Sequence, residues 1–520
     1  MTRPSRTDTA REPSTRRALW PLLVLLGAGV LLALTLPAPG LRGAAHDDAS
    51  SWHTELRATY PAADTVHRTE IREVRLRFTT PVQSALSTIT LVGPAGVVRG
   101  AGAPEPVPGS DMHDLRVTLP NALASGEYRV EWRTAGPDAH PINGAFSFTV
   151  ERPAQSAEQT VPSTVPPGEP ARMEPVSEGA GGRAAEGSGA GGVVARSIFF
   201  LSVLGMLGTS IFRLLVVGPL ARDPLLRETA LTASARTRLL AWGVFGVVLV
   251  SLPLRLWTQS KGLFGDAALA PGNLGRLLFV SGWGGAWFLH LAMAALFLIG
   301  LLSLGGALDR RRGWSTMLAA GLGAALATAL SGHAAATPGA LRAFAVLNDT
   351  VHVAAAGAWI GGLGVLVLVG LGAAHKSGAV VPAPAGGAWS GDEGVLDESA
   401  SVQGSPSLLH PLARMVNAFS RVALVSVALV VVTGLVNGWL HLGSLGALVQ
   451  SAYGRALAVK LLLVAAAGSL GFYNWRRIRP VLATDPRSDL IRIPAAVEAL
   501  LGVAVVIATA VLISIPPPGP

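Results

Sequence analysis

The hydropathy of the chain changes period several times along its length. Residues 18–36 form an apolar run, preceded by Arg3, Arg6, Arg11, Arg16 and Arg17 and followed by Gly43-Ala44-Ala45. That order predicts an export signal over 1–45, either cut after Ala45 or kept as an anchor across ~30 Å of hydrocarbon. Cleavage would make His46 the mature N-terminus. From 46 to 152 apolar and polar residues alternate, as in "EVRLRFTTPV", "STITLVGPAG", "GEYRVEWRTA" and "GAFSFTV". Successive side chains of a strand point to opposite faces, so this period of two, broken by Pro, Gly and Asn, predicts an exported all-β sandwich of about a hundred residues. Residues 153–192 are dominated by Pro, Glu, Ser, Ala and Gly. Such a stretch buries too little apolar surface to order itself, and it reads as a disordered linker.

The remainder is apolar in eight segments, near 193–217, 238–257, 277–305, 314–333, 345–372, 419–439, 455–475 and 493–514. Lipid offers no partner to free backbone groups, so each predicts a spanning helix and 193–515 predicts an all-α polytopic bundle. The third segment is longer than one crossing needs. Arginines orient the bundle: Arg222, Arg227 and Arg236, then Arg310, Arg311 and Arg312, then Arg476, Arg477, Arg479, Arg487 and Arg492 mark cytoplasmic loops. The β-domain and the C-terminus then lie outside the cytoplasm. The Gly/Pro/Ser-rich loop 373–418 is expected to be cytoplasmic and disordered.

Composition narrows the chemistry. The 520 residues carry 41 basic and 32 acidic side chains, a net charge of +9, and only 14% are charged. Soluble domains carry roughly 25%. With Lys261, Lys376 and Lys460 the only lysines, the basic excess is arginine, which suits cytoplasmic loops better than nucleic acid. No phosphate-binding glycine loop is present, so neither nucleotide nor nucleic acid is expected as a partner. With no cysteine, thiolate sites and disulfides are excluded, so any metal must be held by His, Met, Asp, Glu or backbone, and the eleven histidines matter. Arginine in the loops, not mid-helix, also argues against an anion channel.

Two stretches stand out. In "GPDAHPINGAFSF", Asp138 and His140 are two apart and share one side of an extended chain, a nitrogen and oxygen pair suited to Cu(II). In "LNDTVHVAAAGAWIGGLGVL", Asp349, His352 and Trp359 fall at i, i+3 and i+10 on one helical face, and Gly361 and Gly362 permit close helix packing. Ionisable groups inside a membrane helix usually line a pathway. His333 in "SGHAAA" ends the fourth helix on the outer side, and the short hairpin 334–344 places it and His352 on antiparallel neighbours; His441 in "NGWLHLG" closes the sixth helix, again outside, and His290 lies deeper.

"WHTELRATYPAADT", "VRLRFTTPVQSALSTITLVGPAG" and "SGEYRVEWRTAGPDAHPINGAFSFTV" closely resemble the periplasmic copper-binding protein family CopC, over about 53–150. The resemblance implies a cupredoxin-like (Ig-like) sandwich that binds Cu(II) through His53, Asp138 and His140, with His46 a further ligand if it becomes the N-terminus. Met112 is the sandwich's only methionine, so no thioether Cu(I) site is expected. "SGHA", "DTVHVAAAGAWIGG", "FSRVALVSVALVVVTGLVNG", "YGRALAVKLLLV" and Glu498 resemble the copper-resistance inner-membrane family CopD, over roughly 193–515. Together these imply a non-enzymatic copper protein of the cytoplasmic membrane. Its β-domain captures Cu(II), His333, Asp349, His352 and His441 receive it, and periplasmic copper proteins are candidate partners. Two rivals stand beside this reading: a b-type haem electron carrier with paired membrane histidines, and a copper chaperone that does not transport.

Overall fold

A computed structural model describes residues 54–98, 102–137, 139–151, 174–175, 183–184, 189–304, 311–337, 339–370, 411–442, 446–484 and 489–515. His46, His53 and Asp138 lie outside these residues, as do the export signal and residues 373–410 of the loop expected over 373–418; its last stretch, 411–418, is instead the start of a helix.

The alternating segments fold as strands β1 (Leu56–Tyr60), β2 (Val66–His67), β3 (Glu73–Phe78), β4 (Thr88–Gly93), β5 (Gly96–Val97), β6 (Glu105–Pro106), β7 (Asp114–Thr118), β8 (Gly126–Ala135) and β9 (Pro141–Val150). Two short strands, β10 (Glu174–Pro175) and β11 (Arg183–Ala184), fall within the segment read as a linker. They pair with the outer edges of β1 and β9. Among the described residues the sheets run β10-β1-β3-β7-β6 and β11-β9-β8-β4-β5. Along β8 the inward positions Tyr128, Val130 and Trp132 meet Leu76 and Phe78 from the facing sheet and Phe148 from the neighbouring strand β9 in one apolar core. Trp132 lies opposite Gly144 of β9 and edge-on to Phe78 at 5.4 Å. A Cβ at Gly144 would come within 2.6 Å of the indole, so the indole occupies the space that a side chain there would need. Arg77 donates from Nε and Nη2 to the two carboxylate oxygens of buried Asp114, each at 2.8 Å. That hydrogen bonding holds the Arg77 guanidinium above its ordinary pKa.

Among the described residues of the membrane half, eight helices are long and apolar enough to span. Their regular portions are α1 (Ala190–Ile211), α2 (Arg227–Phe264), α3 (Gly282–Leu302), α4 (Arg311–Leu330), α5 (Leu341–Ala356), α6 (Pro411–Leu442), α7 (Ala452–Tyr473) and α8 (Asp489–Leu512). The overlong third segment divides in two, a short helix Pro271–Phe279 and then α3. The break falls at Ser281, whose hydroxyl accepts from the Gly284 N–H and caps α3. Helix α2 extends well past the apolar stretch 238–257. Its 38 residues span about 57 Å at 1.5 Å each, so its outer end stands clear of the hydrocarbon.

That outer end carries the sandwich. Leu86, Ala135 and Ala139 of the β-domain form a single buried cluster with Leu263 and Phe264 of α2, Leu277 of the short helix and Trp283 of α3. Gln259 of α2 donates to the Ala139 carbonyl at 2.6 Å. The two modules are docked, with an apolar seam and a hydrogen bond between them.

Candidate metal pathway

Ala139 is the hinge of the β-domain's contribution. It is buried, lies between Asp138 and His140, and has φ of +55°, a left-handed conformation that costs a non-glycine residue roughly 1–2 kcal/mol. Its N–H donates to the Gly136 carbonyl at 2.9 Å while its own carbonyl accepts from Gln259. Backbone bonds on both sides hold the strained turn, and the turn aims His140 at the bundle.

His140 meets His333 there. The ring centroids are 6.1 Å apart and the planes are tilted by 46°. A metal–imidazole nitrogen bond is about 2.0 Å and the ring centre lies about 1.2 Å further, so two imidazoles on opposite sides of one ion have centroids about 6.4 Å apart. The observed spacing admits a single ion held between the two rings. His333 itself is not the last residue of α4; that helix ends at Leu330, and His333 opens a tight turn, His333–Ala336.

Both histidines line one internal cavity of about 690 Å³. It continues inward past Asp349 and His352 of α5 to Trp359 and Ile360. His352 lies eleven residues beyond Leu341, about 16 Å along the helix axis. Its Nδ1 is 2.8 Å from the Thr433 hydroxyl of α6. That hydroxyl already donates to the Leu429 carbonyl at 2.6 Å, so its oxygen accepts from His352, and the proton sits on Nδ1. The Nε2 lone pair is thereby left as the basic one, the state a metal requires. Asn348 donates to the Asn437 side-chain oxygen at 2.8 Å, and Asn437 donates to Asp349 at 3.3 Å, fixing the carboxylate.

The expected single face of Asp349, His352 and Trp359 is modified by a π-helical turn, Gly357–Gly361, but all three line the cavity. Gly361 packs on the Leu204 backbone of α1, where a side chain would clash. His290 does not line it. Its Nδ1 is 2.8 Å from the Ala286 carbonyl, its Nε2 is 3.2 Å from Thr328, and its ring packs edge-on to Phe199. His441 falls in α6, but its side chain is outside the described residues. Among the described residues no group of three His, Asp or Glu side chains converges as a ready metal site.

Arginine is not confined to the loops. Arg196 and Arg255 line the cavity together with Lys460. Arg255 donates to Ser331 at 2.7 Å and stacks over Phe199 at 4.1 Å, contacts that hold a guanidinium inside a bundle. The sequence signals for the remaining polar residues are weak: Thr433 and Asn437 are i and i+4 in an otherwise apolar run, a spacing that marks one face. Among the described residues the charged groups on the wall are three basic side chains, Arg196, Arg255 and Lys460, and one carboxylate, Asp349.

A β-sandwich docked on eight spanning helices, with histidines from both halves on one cavity, defines a membrane metal-handling protein. The family model described as "CopC domain" matches residues 56–151, "Copper resistance protein D-like, N-terminal domain" matches 188–343, and "Copper resistance protein D" matches 413–512. The chain belongs to the copper resistance family, as a CopC domain followed by the CopD domains. Copper transport protein CutJ of Bacillus subtilis (strain 168) is 25% identical over 479 residues, covering 90% of this chain and 74% of CutJ. Copper resistance protein C of Escherichia coli is 31% identical over 106 residues, 19% of this chain and 82% of that protein. The crystal structure of PcoC, a methionine-rich copper resistance protein from Escherichia coli, is 30% identical, covers 19% of this chain and 99% of PcoC, and has a TM-score of 0.17. These relatives are named for copper resistance and copper transport, none for an enzymatic activity. The protein is a multi-pass protein of the cytoplasmic membrane, with its copper-binding β-domain on the extracytoplasmic side.

Proposed function

We propose that the protein moves copper across the cytoplasmic membrane without catalysing a reaction, by passing it between imidazoles. The β-domain captures Cu(II) through His140, with His53 and Asp138 as its further ligands and His46 as another if the signal is cut. His333 takes hold of the ion while His140 still binds it. Asp349 and the Nε2 of His352 receive it deeper in the cavity, and His441 serves the outer rim. The observation that carries this reading is the 6.1 Å spacing of His140 and His333 at the mouth of a cavity that continues to His352. Docking makes the transfer local: the ion need not leave the protein, and the linker's contribution is to keep the module at millimolar effective concentration should it lift off.

Copper uptake into vesicles by wild type, His140→Ala, His333→Ala and His352→Ala tests the proposal. His352→Ala and His333→Ala should lower the maximal uptake at least tenfold, while His140→Ala should mainly raise the copper concentration needed. Equal uptake by all four removes the mechanism.

A further inference from the structure

Beneath the cavity lies a buried carboxylate that the handover does not use. Glu498 of α8 is 7% exposed, and its side chain points away from lipid toward Gly471 of α7, where a Cβ would come within 2.9 Å of Oε1. Two donors face it. The Asn474 amide donates to Oε2 at 3.0 Å, and the Trp359 indole N–H donates to Oε1 at 3.4 Å. Both donors sit in π-helical turns, Gly357–Gly361 and Asn474–Ile478, each of which interrupts a spanning helix. Such turns are rare and gather at functional sites. The third observation concerns Asn474, which is 8% exposed and whose buried Oδ1 has no hydrogen-bond partner among the described residues. A buried acceptor without a partner costs roughly 1–3 kcal/mol and calls for an explanation.

We propose that Glu498 and Asn474 form a proton-binding switch at the cytoplasmic end of the pathway. In the arrangement seen, the ionised carboxylate accepts from Asn474 Nδ2. When Glu498 takes a proton from the cytoplasmic side, its new O–H needs an acceptor. Asn474 supplies one by turning its amide over, so that Oδ1 accepts where Nδ2 donated. The amide therefore serves both states, and its idle oxygen is the acceptor reserved for the protonated one. Two carboxylate oxygens and one amide oxygen are too few for a hard divalent cation, which takes about six to eight. A proton needs one acceptor.

The elements packed against α8 bring few charges to the site. Helix α7 carries Tyr453, Arg455, Lys460 and Tyr473, the turn after it carries Arg476 and Arg477, and α1 carries Arg196. Asp489 and Arg492 lie on α8 itself. None is a hydrogen-bond or ion-pair partner of Glu498 among the described residues, whose partners are Trp359 and Asn474. Arg476 and Arg477, two and three residues beyond Asn474, belong to the arginine cluster that marks the cytoplasmic side of the bundle. Trp359 is the link upward: it lines the cavity on one side and reaches Glu498 on the other.

Infrared difference spectroscopy of the full chain in lipid, titrated from alkaline to acid pH without copper, reads the protonated carboxyl C=O stretch directly. A band that grows on acidification in wild type and is missing from Glu498→Gln is the expected result; an identical titration in both overturns the switch. In Asn474→Leu the band should move to higher frequency because its hydrogen bond is lost, and an unmoved band also overturns it. Because no copper is present, this outcome is independent of the handover reading. The coupling of switch to cargo does rest on that reading. Uptake into vesicles should respond to a pH gradient in wild type and be at least fivefold less responsive in Glu498→Gln, and equal responses would separate the switch from transport.

Discussion

If the sandwich is held on the bundle, and not merely tethered near it, weakening the seam must release it by a calculable amount. Leu263 is fully buried between the modules, and Leu→Ala at such sites costs roughly 2–5 kcal/mol. Part of that is packing within the bundle, against Leu277 and Trp283, so about half is assigned to docking. Gln259→Ala removes the hydrogen bond to the Ala139 carbonyl, a further ~0.5–1.5 kcal/mol. The double variant should therefore lose about 1.5–4 kcal/mol of docking free energy, a shift of roughly ten- to several-hundred-fold in the ratio of docked to undocked forms. The chain has no cysteine, so spin labels can be placed on cysteines introduced at exposed Glu127 of the sandwich and exposed Leu269 of the bundle. Electron double resonance should give one narrow distance in the parent and a broad distribution in the Leu263→Ala, Gln259→Ala variant. A broad distribution in the parent, or no change in the variant, would refute the reasoning, because either shows that the seam does not hold the module.

Three other outcomes follow from individual contacts. Thr433→Val removes the oxygen that keeps the His352 proton on Nδ1, and it should weaken copper uptake about 10- to 100-fold without unfolding the protein, measured as the copper concentration for half-maximal uptake. His290→Ala should lower thermal stability but leave that copper concentration unchanged, since both ring nitrogens are engaged in packing contacts. Asp114→Ala should cost the sandwich about 1–3 kcal/mol in chemical denaturation, discounted because Arg77 is half exposed. Pairing raises the Arg77 pKa, so the arginine's contribution is complete at any pH below its ordinary value. The loss should therefore be the same at about pH 6 and pH 8.

The sandwich and the spans were legible because each follows from a repeating pattern. Tyr128, Val130 and Trp132 alternate with exposed residues along β8, and no tertiary information is needed to see it. The ends of elements were less so. "TQSKGLFG" is polar and glycine-containing, and it reads as a loop after 257, yet α2 continues through it because Leu263 and Phe264 are buried by the sandwich. The break at Ser281 depends on one capping hydroxyl inside an apolar run. Arg196 and Arg255 were hidden for a related reason: a charge in a membrane helix is tolerated where it meets a cavity, and a cavity is a property of the packed bundle. Residue spacing, and then the two resemblances, brought His140 to notice in one half of the chain and His333 and His352 in the other. Their placement on one cavity depends on docking, which joins residues nearly two hundred positions apart.

The central claim is that one copper ion can be held by His140 of the β-domain and His333 of the bundle together. Pulsed electron paramagnetic resonance of the Cu(II)-loaded full chain counts the imidazoles coupled to the ion. Wild type should lose one imidazole in His140→Ala and likewise one in His333→Ala, since the two rings share the ion. A signal that changes in His140→Ala but is identical to wild type in His333→Ala would place the ion on the sandwich alone and contradict the account.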